Sequence, residues 1–399
     1  MKRVISIVLV VMLLTTGCSF IGQKDISDTE PIIPTTVQTE NNESTTANAS
    51  IDNTAVTSAN AAVASASNST ADTSTISDGV ISGITSDEMN SGIVIDNGMG
   101  EGVVVNSSNK NNLLITLYYR NKEGLLVPVT RNVLKQEGLA KAAINGLVDE
   151  TFTREQLDYY GLYPVLPQGT KIKGLSIKNG SAIIDFSKEF LNLSTKQDEQ
   201  IAVASVVYTL TGFQTISNVS IMVEGKKITA LNNGTNLAET KNRNNTFINA
   251  DETELKDDYV KCDLYYIAYG SNDINYLVPV STQVEYTDDS QLPMTIFDEL
   301  SKKVSDSKYF TSIPEGTKLL SYDLENSLAV LNFSSKLSDY GGSEKENCLL
   351  NQIYFTVNQL KGVKRVKILI DGKETTLPEG TEVAVATNLP STINKVVDK

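Results

Sequence analysis

Three carboxylates fall within a short stretch, Asp185, Glu189 and Asp198 of "SAIIDFSKEFLNLSTKQD". Two carboxylates held about 5–9 Å apart are the machinery of glycoside hydrolysis, one as acid and the other as base or nucleophile. The stretch is not unique, however. "PQGTKIKGLSIKNGSAIIDFSKEF" (167–190) aligns without a gap with "PEGTKLLSYDLENSLAVLNFSSKL" (314–337), and Asn332 takes the place of Asp185. An amide cannot serve as general acid or base. What Asp and Asn can both do is hydrogen-bond to backbone, here expected near Ser187 or Ser334. No residue is assigned a catalytic role on this basis.

Other chemistries are bounded by composition. Histidine is absent, which removes Ser-His-Asp and Cys-His catalysis and imidazole zinc sites. The three cysteines, Cys18, Cys262 and Cys348, form no C-x-x-C pair, so neither a thiolate metal site nor a redox motif is indicated. The glycines of Gly98 to Gly102 do not fit G-x-G-x-x-G, and no nucleotide or other cofactor is expected. Tryptophan is absent and Tyr (16) outnumbers Phe (10), so sugar stacking gains no support. Of the net charge of −14, residues 19–112 carry −10, with Lys24 and Lys110 against twelve acidic residues. A clustered basic face is missing, and with it a nucleic-acid partner.

The N-terminus reads as an address. "MKRVISIVLVVMLLTTGC" has Lys2 and Arg3, an apolar run from Val4 to Leu14, and small residues before Cys18. A run of eleven residues is too short for a bilayer span of about 20, so residues 1–17 read as a cleaved export signal. Thr15-Thr16-Gly17-Cys18 resembles a bacterial lipobox, with Thr15 as a departure, and makes Cys18 the expected lipidation site. The chain is then expected on the extracytoplasmic face of the cell membrane. Residues 18–112 are rich in Ser, Thr, Asn and acidic side chains, too polar to offset their ordering entropy, and read as a disordered tether. Three apolar patches interrupt its end, at 79–84, 91–96 and 102–106. Each is either a weak β patch in the tether or a strand that adds to a sheet edge.

The elements that must position any site occur twice. "ITLYY" (115–119) matches "CDLYY" (262–266), and "VEGKK" (223–227) matches "IDGKE" (370–374), both at an offset of 147. "LVPVT" (126–130) matches "LVPVS" (277–281) at 151, because "AYGSNDIN" lengthens the first loop of copy two. Two homologous domains, 113–231 and 260–377, are expected, joined by a linker at 232–259 and followed by a tail at 378–399. Apolar residues at i, i+4 and i+8 predict a helix over about Gln136 to Asp149, matched by Leu292, Ile296, Leu300 and Val304. Asn179-Gly180 predicts a two-residue hairpin. Thr195 and Asp198, or Ser343 and Glu346, stand at capping-box spacing before a second helix. That helix is apolar around much of its circumference, which implies burial by the sheet and by the sister domain or another protein. The order β, β, α, β, β, α, β gives an α+β fold, two tandem domains each with a small mixed or antiparallel sheet and two helices on one face. Of each Tyr pair, Tyr118–Tyr119 and Tyr265–Tyr266, one ring is expected to point inward. Cys262 and Cys348 lie on the first strand and second helix of one domain, as apolar core thiols or as a candidate disulfide.

The series "LYYRNKEGLLVPVTR", "LPQGTKIKGLSIKNGSAIIDFSKEF" and "AVASVVYTLTGFQTISNVSIMVEGK" resembles the GerMN domain, closely over 113–231 and more loosely over 260–377. Arg131 departs in copy two, where Thr282 stands. The resemblance implies a non-enzymatic protein of sporulation and spore germination. It also implies a fold similar to the ring-building modules of secretion systems, and partners among envelope or sporulation-complex proteins. The alternative is a cell-wall or ligand-binding lipoprotein of the envelope.

Overall fold

In each repeat, the paired tyrosines sit on a long strand that organises everything else. The computed structural model describes residues 104–105, 112–272 and 274–395. In domain 1, β1 (Val104–Val105), β2 (Asn112–Asn121) and β3 (Leu126–Leu134) form an antiparallel sheet. Helices α1 (Leu139–Asn145) and α2 (Thr151–Asp158) follow, then β4 (Leu162–Tyr163), which returns to β2. The second sheet comprises β5 (Ile172–Lys178), β6 (Ser181–Phe186), β7 (Asn218–Val223) and β8 (Lys226–Lys227), in that order. β6 and β7 run parallel, and α3 (Lys196–Leu210) supplies the crossover that parallel strands require.

Domain 2 repeats the plan. β9 (Tyr259–Tyr269), β10 (Asn275–Glu285) and β11 (Tyr309–Phe310) form its antiparallel sheet, with α4 (Leu292–Leu300) between the last two. β12 (Leu319–Glu325), β13 (Leu328–Phe333), β14 (Arg365–Ile370) and β15 (Thr387–Asn388) form the mixed sheet, with α5 (Ser343–Val357) crossing from β13 to β14. The α+β class and the tandem duplication stand. Where one sheet per domain was expected, the strands close into two.

Several local expectations shift for physical reasons. The first helix of domain 1 stops at Asn145, and the Gly146 that follows lies against Leu117, whose Cδ2 would stand 2.9 Å from any Cβ there. Leu147 and Val148 then leave the helix to bond Val165 and Leu166, and α2, which has no counterpart in domain 2, begins at Thr151. α2 also accounts for Arg131. Its guanidinium donates to Tyr119 Oη (3.2 Å) and to Gln156 Oε1 on α2 (2.9 Å), whereas domain 2 lacks that helix and carries Thr282. With α2 over one face and α3 over the other, both Tyr118 and Tyr119 are buried. The patch at 102–106 adds to a sheet edge, Val104 opposite Leu114 and Val105 opposite Leu113. The signal segment, Cys18 and the rest of the tether lie outside the described residues.

Residues past the expected domain ends are folded in. Glu199 on α3 is 1% exposed, and its carboxylate accepts the N–H groups of Asn233 (2.6 Å) and Thr235 (3.1 Å). Glu346 on α5 does the same for Glu379 (2.9 Å) and Thr381 (3.3 Å), and also takes the Tyr340 hydroxyl (2.7 Å). Each glutamate therefore closes an L-x-x-G-T turn, Leu231–Thr235 or Leu377–Thr381, and Glu346 is committed there instead of to a capping box with Ser343, which is the first helical residue. In α3 the N-cap half of the box forms, Asp198 N donating to Thr195 Oγ1 (3.1 Å), while the Asp198 carboxylate takes the Thr195 hydroxyl (2.8 Å) and Arg120 (2.9 Å).

Burial raises the pKa of Glu346, but hydrogen bonds from Thr381, Tyr340 and the two amides outweigh it, leaving the carboxyl below its usual range. A carboxyl depressed in the folded state contributes stability that is present above its unfolded pKa, about 4.3, and lost as pH falls through the folded value. Glu346→Gln should cost about 1.5–3 kcal/mol at neutral pH. It should also flatten the acid limb of a stability-versus-pH curve measured by urea unfolding.

Candidate functional site

The Val-Pro-Val strands lead to a closely organised polar site. Proline has no N–H to give to a ladder and belongs on an edge. Among the described residues Pro128 on β3 and Pro279 on β10 each sit on a strand with one paired neighbour, and these two edges face one another. Between them stand two asparagines in left-handed backbone, Asn249 (φ 56°) and Asn394 (φ 44°). The Asn249 amide accepts from Leu126 N (2.6 Å) and donates to the carbonyls of Leu126 and Pro279 (both 2.8 Å). Asn394 mirrors it, accepting from Leu277 N (2.9 Å) and donating to Leu277 O (2.7 Å) and Pro128 O (2.8 Å).

The neighbouring residues repeat the symmetry. Ile248 N donates to Ser281 Oγ (2.9 Å), and Ile393 N to Thr130 Oγ1 (2.8 Å). In return Ser281 N donates to Ile248 O and Thr130 N to Ile393 O, both at 2.9 Å. The two domains thus meet about a local pseudo-two-fold relation, each sealed by the Ile-Asn pair that trails the other's fold. Residues 232–259 and 378–399, expected as linker and tail, supply these pairs. Sequence reasoning passed over both asparagines; the repeated Ile-Asn, 145 residues apart, was the available signal.

Beside this seam the symmetry breaks. Tyr208, at the end of α3, donates to Asp263 Oδ2 (2.7 Å), while Lys261 Nζ reaches Asp263 Oδ1 (2.6 Å) and Tyr208 Oη (2.9 Å). Ser281 Oγ also donates to Asp263 (2.7 Å), and Arg243 stacks 4.8 Å over the Tyr208 ring. Burial, aided by Asp263, holds the Tyr208 hydroxyl well above its usual pKa, and burial lowers that of Lys261 despite the same carboxylate. Tyr208 on α3 is bonded to both Lys261 and Asp263 of β9, so the cluster fastens α3 to domain 2. This is the second-side burial expected of the helix. The lengthened loop of copy two is used here as well, Asn272 Nδ2 donating to Tyr159 O (2.6 Å) and Tyr276 Oη to Tyr160 O (2.7 Å).

Each of the sequence-nominated carboxylates has a partner of its own. Asp185 accepts from Gly225 N (2.9 Å) and Asn332 from Gly372 N (2.7 Å), so both cap the turn after the adjacent parallel strand. The backbone role holds, with a partner across the sheet in place of one near Ser187 or Ser334. Glu189 bonds Ser187, which lowers its pKa, and Asp198 pairs with Arg120 (2.9 Å). The candidate disulfide is not formed: Cys262 and Cys348 are free thiols. Tyr265 N meets Thr356 Oγ1, and Cys348 lies eight residues before Thr356, about 12 Å along the helix and away from Cys262. Burial pushes the Cys262 thiol up to about 12. Among the described residues no group of three or more metal-binding side chains occurs.

Each domain also carries an open groove at an equivalent place, between the first helix, the hairpin edge and the end of the second helix. In domain 2 it encloses about 930 Å³ and is lined by Tyr265, Tyr286, Tyr322, Phe355 and Arg243. In domain 1 it encloses about 680 Å³ and is apolar, lined by Leu139, Ala140, Leu175, Ile177, Phe213 and Ile216.

Asn249→Asp keeps the shape but loses the two donated bonds, and should destabilise the tandem unit by about 2–3 kcal/mol in chemical denaturation, with Asn394→Asp alike. Asp263→Ala, which strands Lys261, should cost roughly 3–5 kcal/mol. Asp185→Asn, which copies domain 2, should stay within about 0.5 kcal/mol of the parent.

Comparison with known proteins agrees with this architecture. The family model described as Germane, sporulation and spore germination, matches residues 116–229 and 263–385. The chain is 30% identical over 289 residues to the spore germination protein GerM of Bacillus subtilis (strain 168), covering 70% of this chain and 77% of that relative. The solved tandem GerMN domains of the sporulation protein GerM from Bacillus subtilis superpose with a TM-score of 0.62 at 28% identity, over 72% of this chain and all of that one. The chain belongs to the Germane family of sporulation and spore germination proteins, with two GerMN domains in tandem.

Proposed function

We propose that the protein is a lipoprotein held at the extracytoplasmic face of the cell membrane through Cys18, and that its tandem domains act as an assembly module in sporulation and spore germination. The observation that carries this reading is the seam. Polar groups that could have formed a reactive centre, Asp263, Lys261, Tyr208, Glu199 and Glu346, are spent on internal hydrogen bonds. What remains outward is a rigid two-domain body with two grooves and open sheet edges, the equipment of a docking protein. No helix among the described residues is long and apolar enough to cross a membrane. Two acyl chains would contribute about 0.8 kcal/mol per buried CH₂, enough for stable anchoring. The tether, with a root-mean-square reach on the order of 50–60 Å, would raise the local concentration of the domains near envelope partners.

A second reading, a cell-wall or ligand-binding lipoprotein, draws on the domain 2 groove with its three tyrosines. Titration of the full chain with cell-wall glycan fragments, followed through tyrosine fluorescence, separates the two. Saturable binding lost in Tyr322→Ala favours the second reading, and an unchanged signal favours docking.

The assembly role predicts that Cys18→Ala moves the protein from the membrane to the soluble fraction. The number of heat-resistant, germination-competent spores should fall toward that of the deletion strain, because a gain in effective concentration of about 10²-fold or more is lost. Normal spore counts in both strains would sink this reading.

A further inference from the structure

Two features of domain 1 fall in one place, an uncovered strand edge and an apolar groove beside it. β5 is the outermost strand of its sheet. Around the Asn179–Gly180 turn, Lys178 and Ser181 are the pair that exchanges hydrogen bonds, so Ile177 and Leu175 turn their N–H and C=O groups away from β6. Among the described residues no strand pairs with that side. The side chains of the same two residues form one wall of the 680 Å³ groove, opposite Leu139 and Ala140. An added strand could therefore bond the edge with its backbone and drop alternate side chains into the groove. Lys135 and Lys141 also line it and Lys178 ends β5, against the single acid Glu137, so this rim is basic on a chain of net charge −14.

The complementary sequence lies just upstream of the folded unit. Residues 87–101 carry Asp87, Glu88, Asp96 and Glu101, no lysine or arginine, and the apolar core Ile93-Val94-Ile95. The next patch downstream already behaves as an added strand, at Val104–Val105 on β2. Val105 lies opposite Leu113 and Leu113 opposite Val133, so β1 is two strand spacings, about 10 Å, from a residue two places before Lys135. The nine-residue step from Ile95 to Val104 can span up to about 30 Å, and Asn97-Gly98 with Gly100 and Gly102 allows the chain to reverse. The domain 2 groove has no such basic rim, because Arg243, Lys261 and Lys361 are balanced by Asp263, Asp289 and Asp323, and Glu325 ends β12 where Lys178 ends β5.

We propose that residues 91–96 bind the domain 1 groove of their own chain as a strand added to β5. Ile93 and Ile95 enter the groove, and the flanking acids face Lys135, Lys141 and Lys178. The assignment stands apart from the assembly role and can fail without it.

Hydrogen exchange of the full chain reads it directly. The amides of Leu175 and Ile177 should exchange about tenfold or more slowly in the parent than in an Ile93→Asp/Ile95→Asp chain. The Ser176 amide, bonded to Ile183, should be unchanged and serves as an internal control for folding. A synthetic peptide of residues 88–97 added to the doubly substituted chain should restore the protection, and Lys135→Glu/Lys141→Glu should abolish the effect. Equal exchange in both chains, or no restoration by the peptide, overturns the proposal. Protection that appears only as concentration rises, together with a dimer in light scattering, assigns the groove to a second copy and overturns the same-chain docking.

Discussion

The structure depends on how two proline-bearing edge strands are kept from being open edges. An unpaired strand edge invites other chains, and a proline on it can accept but not donate. Asn249 and Asn394 meet both demands, because an amide presents two donors and an acceptor in one plane. Each completes the backbone bonds of one strand, at Leu126 or Leu277, and spends its second donor on the proline carbonyl of the opposite strand. The left-handed backbone that this requires is tolerated by asparagine better than by most residues. Because the bridge is made twice, in opposite senses, the domains are locked in position and rotation alike.

The other fixtures build outward from that seam. Glu199 and Glu346 hold the turns that redirect the chain toward Asn249 and Asn394, so the buried carboxylates position the seam's own residues. A buried carboxylate is costly unless its hydrogen bonds are supplied, and here backbone N–H groups and hydroxyls supply them. The Lys261–Asp263–Tyr208 cluster then distinguishes the two ends of the pseudo-symmetric pair. Its counterparts at Leu114, Thr116 and Phe355 are uncharged, so the chain has two similar modules in a single, unsymmetrical arrangement.

Much of this was legible in the sequence where the cause is local. Asn179-Gly180 forms its hairpin, the Thr195 hydroxyl caps α3, and the apolar stripe with Ala143 and Ile144 marks a helix face. The exchange of Asp185 for Asn332 indicated scaffold over catalysis, and both side chains accept an equivalent backbone N–H. Where the reading stopped short, the cause is non-local. Gly146 is fitted to Leu117, twenty-nine positions earlier, and Arg131 is explained only by a helix that domain 2 lacks.

The sequence by itself determined that there are two copies of one α+β domain, and that histidine chemistry is absent. Repeat spacing, hydrophobic periodicity and turn chemistry act over a few residues, and can be read without knowing what lies across the fold. Tertiary structure alone decided that the supposed linker and tail are the fastening. Asn394 reaches the Pro128 carbonyl over 266 positions and Asn249 reaches Leu126 over 123, separations at which no local pattern carries the pairing. The same long-range closure placed Leu175 and Ile177 on an open edge above an apolar groove, a juxtaposition created by packing between α1, β5 and the end of α3.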